Sequence, residues 1–181
     1  MAVRMGRGKL VCDANGMMRI TVKINGRDRV MMVKPNEYLL DVLRREGFKG
    51  AKKGCDTGDC GSCTILMDGK PVLSCLLFAA QAHGRELTTI EGLGTPAKPH
   101  PIQRAFVETG SVQCGFCIPG MVLSAKALLD ENPDPDETAV RRALDGNLCR
   151  CTGYVKQVEA VLLAAKKLRE MNSKQDGKGP R

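Results

Sequence analysis

The chain has 181 residues, a formal net charge of +8 at pH 7, no tryptophan and only two Tyr and four Phe. Because so few aromatic residues are present, and none alternates with the basic ones, the composition argues against a single-stranded nucleic-acid binder, which needs a stacking surface. The sequence has no run of about eighteen apolar residues, as a membrane-spanning helix requires, and no glycine-rich nucleotide-binding motif.

The amino-terminal part predicts a hairpin followed by a short helix. Residues 1–18 are expected to form an extension that precedes the first domain. In residues 19–33, alternating apolar side chains flank Asn25-Gly26, a pair that favours the positive φ angles of a type I′ turn. An apolar side on residues 39–46 then predicts a helix.

Four cysteines with unequal spacing follow this helix. They are Cys55, Cys60, Cys63 and Cys75, in the pattern Cys-x4-Cys-x2-Cys-x11-Cys. This is the plant-type ferredoxin spacing, which holds a [2Fe-2S] cluster. Glycines in residues 54–63 let backbone N–H groups approach the cluster sulfurs. A four-cysteine zinc site also accepts close pairs but needs no such loop, so this set favours iron.

Downstream of the loop, the sequence predicts the end of a small sheet and then a linker. Asp68-Gly69 indicates a second hairpin, which returns Cys75 towards the loop. Residues 87–90 predict a closing strand. Residues 91–101 are rich in Gly and Pro and are expected to be a linker.

Beyond the linker, the apolar residues recur with a helical period. Helices are predicted near residues 102–109 and 136–145, along the stripe from Met121 to Leu129, and from about Tyr154 to Leu168. Four short helices of this kind can pack around a buried site.

The helical region contains a second set of four cysteines. They are Cys114, Cys117, Cys149 and Cys151, in the pattern Cys-x2-Cys-x31-Cys-x-Cys. Pro119 suits the first turn of a helix that begins just after the first pair, and the free amides of that helix would face an anionic cluster. The spacing alone leaves zinc open for this set. Disulfides explain the nine cysteines poorly, because their number is odd.

Three segments carry a resemblance to a known family. They are GCDTGDCGSCT at residues 54–64, VQCGFCIPGMV at residues 112–122 and GNLCRCTGYV at residues 146–155. They resemble the iron–sulfur subunit of the xanthine dehydrogenase/aldehyde oxidase family of molybdenum hydroxylases, and the likeness runs from about residue 19 to 168. Residues Asp59, Ser62 and Ile118 differ from the commoner Glu, Ala and Thr, but none of these changes removes a cysteine.

The residue patterns and the resemblance imply the same α+β fold. An N-terminal ferredoxin-like β-grasp domain (residues 19–90) would precede an all-helical, four-helix [2Fe-2S]-binding domain (residues 102–170), and a disordered basic tail (residues 171–181) would follow. The resemblance places the first cluster nearer a flavin and the second nearer the molybdopterin cofactor. It also implies that Gln113 and Cys151 contact the pterin.

The resemblance further implies electron transfer. In that family a substrate C–H bond is oxidised at molybdenum, and electrons leave through two [2Fe-2S] clusters to FAD. The chain would then be a non-catalytic subunit between a large molybdopterin-binding subunit and a medium FAD-binding subunit, in a cytoplasmic heterotrimer or dimer of heterotrimers. The alternative is a stand-alone module that binds zinc or an iron–sulfur cluster and senses redox state without an enzyme partner.

Other conspicuous residues have simpler interpretations. His83 and His100 are expected to be surface residues rather than metal ligands, and Cys12 a free thiol or an interface residue. A basic group precedes the first cysteine loop, and it is interpreted as a solvated face, as charge balance for the cluster or as a docking rim. Its members are Arg44, Arg45, Lys49, Lys52 and Lys53.

Overall fold

The computed structural model describes residues 10–176, and its first half is built on a five-stranded sheet. The strands are β1 (Met18–Ile24), β2 (Arg27–Val33), β3 (Thr64–Met67), β4 (Lys70–Leu73) and β5 (Glu86–Thr88), and helix α1 (Leu39–Arg45) lies between β2 and β3. Their order across the sheet is β2-β1-β5-β3-β4. Strand β5 pairs parallel with β1 and antiparallel with β3. This mixed sheet with one helix packed in its core confirms the predicted ferredoxin-like β-grasp arrangement.

Both hairpins have the predicted turns. Asn25 and Gly26 have φ angles of 51° and 77°, and Asp68 and Gly69 have φ angles of 50° and 78°. Two successive positive φ angles define the type I′ turn, whose twist matches that of the strands on either side. The first turn sets the β1–β2 register, and the second directs β4 back along β3 towards the cysteine loop.

The first hydrophobic core lies between the sheet and α1. Strand β1 alternates buried and exposed residues along its length, so one face of the strand packs inward. Four residues of α1 are almost completely buried against this face; they are Leu39, Leu40, Val42 and Leu43. Burial of each such side chain contributes about 1.5–3 kcal/mol. The core therefore fixes the strand ends that carry the cysteine loop.

Four helices form the second half, as predicted. They are α2 (Pro101–Glu108), α3 (Ile118–Glu131), α4 (Glu137–Leu144) and α5 (Val155–Asp176). Helix α2 packs against α5, and α3 packs against both α4 and strand β3. Their apolar sides enclose a second core around Phe106, Met121 and Val161. No helix within residues 10–176 is long and apolar enough to cross a membrane.

Three boundaries differ from the sequence predictions. Strand β5 ends at Thr88, and Ile90 starts a 3-10 helix instead of ending the strand. Pro101 is the first residue of α2 rather than the last of the linker, because proline without an N–H fits the first helical turn. Residues 171–176 belong to α5 and are not the start of a disordered tail. Residues 177–181 of the expected tail and residues 1–9 of the expected extension lie outside the described residues.

Candidate metal centres

The first cysteine set is brought together by one loop and one hairpin. Cys55, Cys60 and Cys63 lie on the loop between α1 and β3, and Cys75 lies in the 3-10 helix Ser74–Leu76 that follows β4. The Sγ atoms of Cys63 and Cys75 are 3.3 Å apart and buried. The backbone N–H of Cys60 donates to the Sγ of Cys55 over 3.4 Å. These contacts pair Cys63 with Cys75 and Cys60 with Cys55.

The loop of the first set depends on positions with positive φ angles and on a close approach of its backbone to sulfur. Asp56, Gly58 and Gly61 have φ angles of 61°, 87° and 69°, which turn the chain back on itself. A Cβ atom on Gly54 would lie 2.7 Å from the Sγ of Cys60. The backbone therefore runs directly beside the sulfur atoms, as the glycine-rich sequence predicts.

Cys55 and Cys75 of the first set differ strongly in pKa. Hydrogen bonds from the side chain and backbone of Thr57, and from Cys60, lower the pKa of Cys55 to about 6. Burial and the neighbouring Cys63 thiol raise the pKa of Cys75 to about 12. A buried thiol of this kind ionises readily only beside a compensating positive charge, such as a metal.

The second cysteine set is assembled from two separate loops. Cys114 and Cys117 lie just before α3, whereas Cys149 and Cys151 lie between α4 and α5. The Sγ atoms of Cys114 and Cys151 are 3.4 Å apart at the protein surface. Burial, followed by contact with the Cys149 thiol, raises the pKa of Cys117 to about 12. The backbone N–H of Phe116 is the main cause of a lowered pKa at Cys114.

A hydrogen-bonded chain from α5 supports the second set. The hydroxyl of Thr152 donates to the Sγ of Cys149 over 3.1 Å. Gln157 is fully buried, and its Nε2 donates to the Thr152 hydroxyl and to the carbonyl of Ser111, each over 2.9 Å. Gln157 thus ties together the two loops that carry the cysteines. Sequence reasoning missed this residue, because a single glutamine on a helix gives no signal of its partners.

In each set, two sulfur atoms lie close together. Separations of 3.3 and 3.4 Å are much longer than the S–S bond of a disulfide, about 2.05 Å. Two thiolates bound to one tetrahedral metal at about 2.3 Å would lie about 3.8 Å apart. Each pair therefore fits two ligands of one metal, and four cysteines per set fit the requirement of a two-iron cluster. Within residues 10–176, no three His, Cys, Asp or Glu side chains converge as they would around a single ion.

The two sets lie on either side of one interface. A cleft of about 650 Å³ is lined by Cys60 from the first half and by all four cysteines of the second set. The backbone N–H of Leu148, next to Cys149, donates to the carbonyl of Cys60 over 2.9 Å. This hydrogen bond connects Cys60 of the first set to the residue that precedes Cys149 of the second set.

Asn147 fastens this interface from inside. Its buried side chain accepts a hydrogen bond from Ser124 over 2.6 Å and donates to the Gly61 carbonyl and the Thr64 hydroxyl over 3.0 and 3.2 Å. A Cβ atom on Gly61 would collide with the Gly146 carbonyl oxygen. Such close backbone contact holds the two cysteine loops at a fixed separation.

The remaining predicted residues occupy varied positions. Gln113 is exposed and immediately precedes Cys114, whose Sγ lies 3.4 Å from that of Cys151. Cys12 is also exposed and lies far in sequence from both sets. His83 and His100 are half-buried rather than fully at the surface, and each accepts a backbone N–H at Nδ1, from Thr21 and Ile102 respectively.

Comparisons with known families divide the chain at the same place as the structure. Residues 22–88 match a family described as a 2Fe-2S iron-sulfur cluster binding domain. Residues 89–162 match a second family, described as a [2Fe-2S] binding domain. Each match contains one complete cysteine set.

Individual relatives cover nearly all of the described chain. The nicotinate dehydrogenase small FeS subunit of Eubacterium barkeri is 46% identical over 149 residues, which are 82% of this chain and 95% of that protein. The xanthine dehydrogenase iron-sulfur-binding subunit of Escherichia coli O157:H7 is 42% identical, covering 79% and 91%. The crystal structure of quinoline 2-oxidoreductase from Pseudomonas putida 86 contains a chain with 45% identity and a TM-score of 0.82, covering 86% and 98%.

Proposed function

The chain belongs to the iron–sulfur subunits of the xanthine dehydrogenase/aldehyde oxidase family of molybdenum hydroxylases, and from this premise we propose that it is a two-cluster electron relay. It would carry electrons between a molybdopterin-binding subunit and an FAD-binding subunit. The eight cysteines of the two sets are the proposed ligands, with Cys55, Cys60, Cys63 and Cys75 holding one [2Fe-2S] cluster and Cys114, Cys117, Cys149 and Cys151 holding the other.

One observation favours this proposal over a zinc-binding module. Each half of the chain brings cysteines of one set together, with one sulfur pair in each half at a separation that fits two ligands of a metal. Cys60 of the first set also lines the cleft that all four cysteines of the second set line. A zinc-binding module would need two structural sites, but it would not need the two sites to adjoin.

The protein itself would hold, shield and tune the clusters. A bound [2Fe-2S] cluster supplies one-electron redox chemistry. Around the first set, burial of Cys63 and Cys75 excludes water. Around the second set, the Thr152 hydroxyl and the Phe116 N–H donate to ligand sulfur. Hydrogen bonds of this kind stabilise the more negative, reduced state and so raise the reduction potential.

The exposed side of the second set is the proposed contact with molybdopterin. Gln113, Cys114 and Cys151 are all exposed there. A side-chain amide both donates and accepts hydrogen bonds, which suits the edge of a pterin. The substrate pocket would then lie on the molybdopterin-binding subunit and the flavin on the other partner, nearer the first set.

Metal analysis of the purified complex tests the proposal. We expect about four irons and about four acid-labile sulfides per copy of this chain, with two distinct EPR signals on reduction. Full activity with only two irons would contradict the two-cluster assignment. Zinc in place of iron, with no visible absorption, would instead support the stand-alone metal-binding module.

A further inference from the structure

Lys52 lies in the first half of the molecule, but the end of its side chain contacts the second half. Its backbone N–H donates to the Ser62 carbonyl over 2.9 Å, beside the first cysteine loop. Its side chain crosses the interface, where Nζ donates to the carbonyls of Gly115 and Phe116 over 3.1 and 3.2 Å. The same Nζ lies 5.2 Å from the centre of the Phe116 ring. Lys52 is half-buried, so this charge is partly shielded from solvent.

The other basic residues of the same group stay within the first half. Arg44 donates to the carbonyls of Lys49 and Ala51, and Arg45 pairs with Glu37. Lys53, the next residue along the chain, is exposed and pairs with Asp41 and Asp56. The interpretations of the basic group as a solvated face or as charge balance for the first set do not fit Lys52, because its ammonium group contacts the loop of the second set.

The carbonyls that Lys52 contacts lie between two proposed ligands. Gly115 and Phe116 are the two residues between Cys114 and Cys117. In the peptide unit that joins them, the Gly115 carbonyl accepts from Lys52 and the Phe116 N–H interacts with the thiol of Cys114. Hydrogen bonds in a chain polarise one another, so a cation at the carbonyl makes that N–H a stronger donor.

We propose that Lys52 sets the reduction potential of the second cluster from the first domain. Reduction adds one electron, and therefore one negative charge, to the cluster. A cation held against the ligand loop stabilises that charge directly and through the polarised peptide, so it raises the potential. The cluster proposed to accept electrons from molybdenum thus becomes a better acceptor only when the two domains are docked. This inference rests on the proposed two-cluster function.

The test is an EPR-monitored redox titration of the whole complex with Lys52→Met. Thr152→Val first identifies the second-cluster signal, because it removes the hydroxyl that donates to Cys149 of the second set. We expect Lys52→Met to make reduction of the second cluster about tenfold less favourable, which is about 59 mV lower for one electron. The first-cluster midpoint should stay unchanged.

Two matched variants separate charge from packing. Lys52→Arg keeps the charge and should stay within about twofold of the unmodified protein in the reduction equilibrium. Lys53→Met removes the neighbouring charge, which contacts only the first half, and should leave the second midpoint unchanged. If Lys52→Met does not assemble, Lys52→Gln keeps a donor to the carbonyls without the charge and should show the lowered midpoint.

The possible outcomes separate the proposed two-cluster function from the proposed role of Lys52. An unmodified complex without two iron–sulfur signals overturns the proposed function and this inference together. Two normal signals with an unchanged second midpoint in Lys52→Met, or in Lys52→Gln if only that variant assembles, overturn this inference alone. Equal shifts of both midpoints also overturn it, because they would show a general effect rather than one directed at the second set.

Discussion

The two cysteine sets reach similar geometry by different routes. In the first set, three cysteines share one tight loop, and a hairpin with a type I′ turn returns the fourth. In the second set, two loops separated by α3 and α4 must meet, and Gln157 on α5 holds them together. The first set therefore depends on local backbone conformation, whereas the second depends on helix packing and on contacts with the first half. Variants in the two regions should therefore differ in what they lose.

Gly61→Ala should have the largest effect, because it damages both the local loop and the interface. The positive φ angle of 69° disfavours alanine, and the added Cβ would collide with the Gly146 carbonyl. We expect a loss of about 3 kcal/mol or more in unfolding free energy, together with loss of iron. Thermal unfolding and iron content measure both consequences.

Gly69→Ala is the matched control for Gly61→Ala. Gly69 has a similar φ angle of 78°, but nothing lies within 4 Å of its would-be Cβ. It should cost only the backbone strain, about 1–2 kcal/mol, and retain full iron. Equal losses in both variants would show that the interface contact at Gly61 adds nothing to the strain.

Asn147→Ala should weaken the interface while sparing the local loop of the first set. It removes three buried hydrogen bonds and leaves the Ser124 hydroxyl without this partner, whereas the Gly61 carbonyl still accepts from Thr64. An unsatisfied buried group costs about 1–3 kcal/mol, so we expect a loss of about 1–3 kcal/mol in urea unfolding. Asn132→Ala, at an exposed position that ends α3, should cost less than about 1 kcal/mol. A similar loss in the two variants would contradict the role assigned to Asn147.

Gln113→Ala should leave stability and both clusters intact but slow electron transfer from molybdenum to the second cluster. Gln113 is exposed, and an exposed substitution of this kind usually changes stability by no more than about 0.5 kcal/mol. If its amide bonds the pterin, electron transfer from molybdenum should slow, or the cofactor should bind more loosely. Rapid-reaction measurements of cluster reduction and cofactor content test this. Normal reduction kinetics with normal cofactor content would show that Gln113 has no part in the relay.

Protonation of His100 in mild acid should slightly destabilise the helical half. Burial, followed by the charge of Lys126, lowers the pKa of His100 below its ordinary value of 6.5. Because the folded pKa lies below the unfolded one, the stabilising contribution is complete above pH 6.5 and is lost as the pH falls below it. Hydrogen exchange of α2 should therefore accelerate in that range. His100→Asn keeps a helix-capping acceptor without titrating, and its exchange should lack this pH dependence.

Sequence patterns were most reliable where the interacting residues lie close along the chain. Asn25-Gly26 and Asp68-Gly69 predicted their turns correctly, because the positive φ angles are properties of the residues themselves. Pro119 marked the start of α3 for the same reason. The end of α5 was predicted wrongly, because residues 171–176 have no apolar period of their own but continue a helix anchored by packing earlier in its length.

The amino-acid sequence by itself determined the two cysteine sets, the hairpins, the helices and the family resemblance, because spacing and local backbone preference are written in short segments. Only the tertiary structure decided what joins the two sets. Lys52 finds its carbonyl partners 63 and 64 residues away, and Asn147 reaches a carbonyl 86 residues away. A lysine or an asparagine has many possible partners in solution, so its choice follows from which surfaces the two cores bring together.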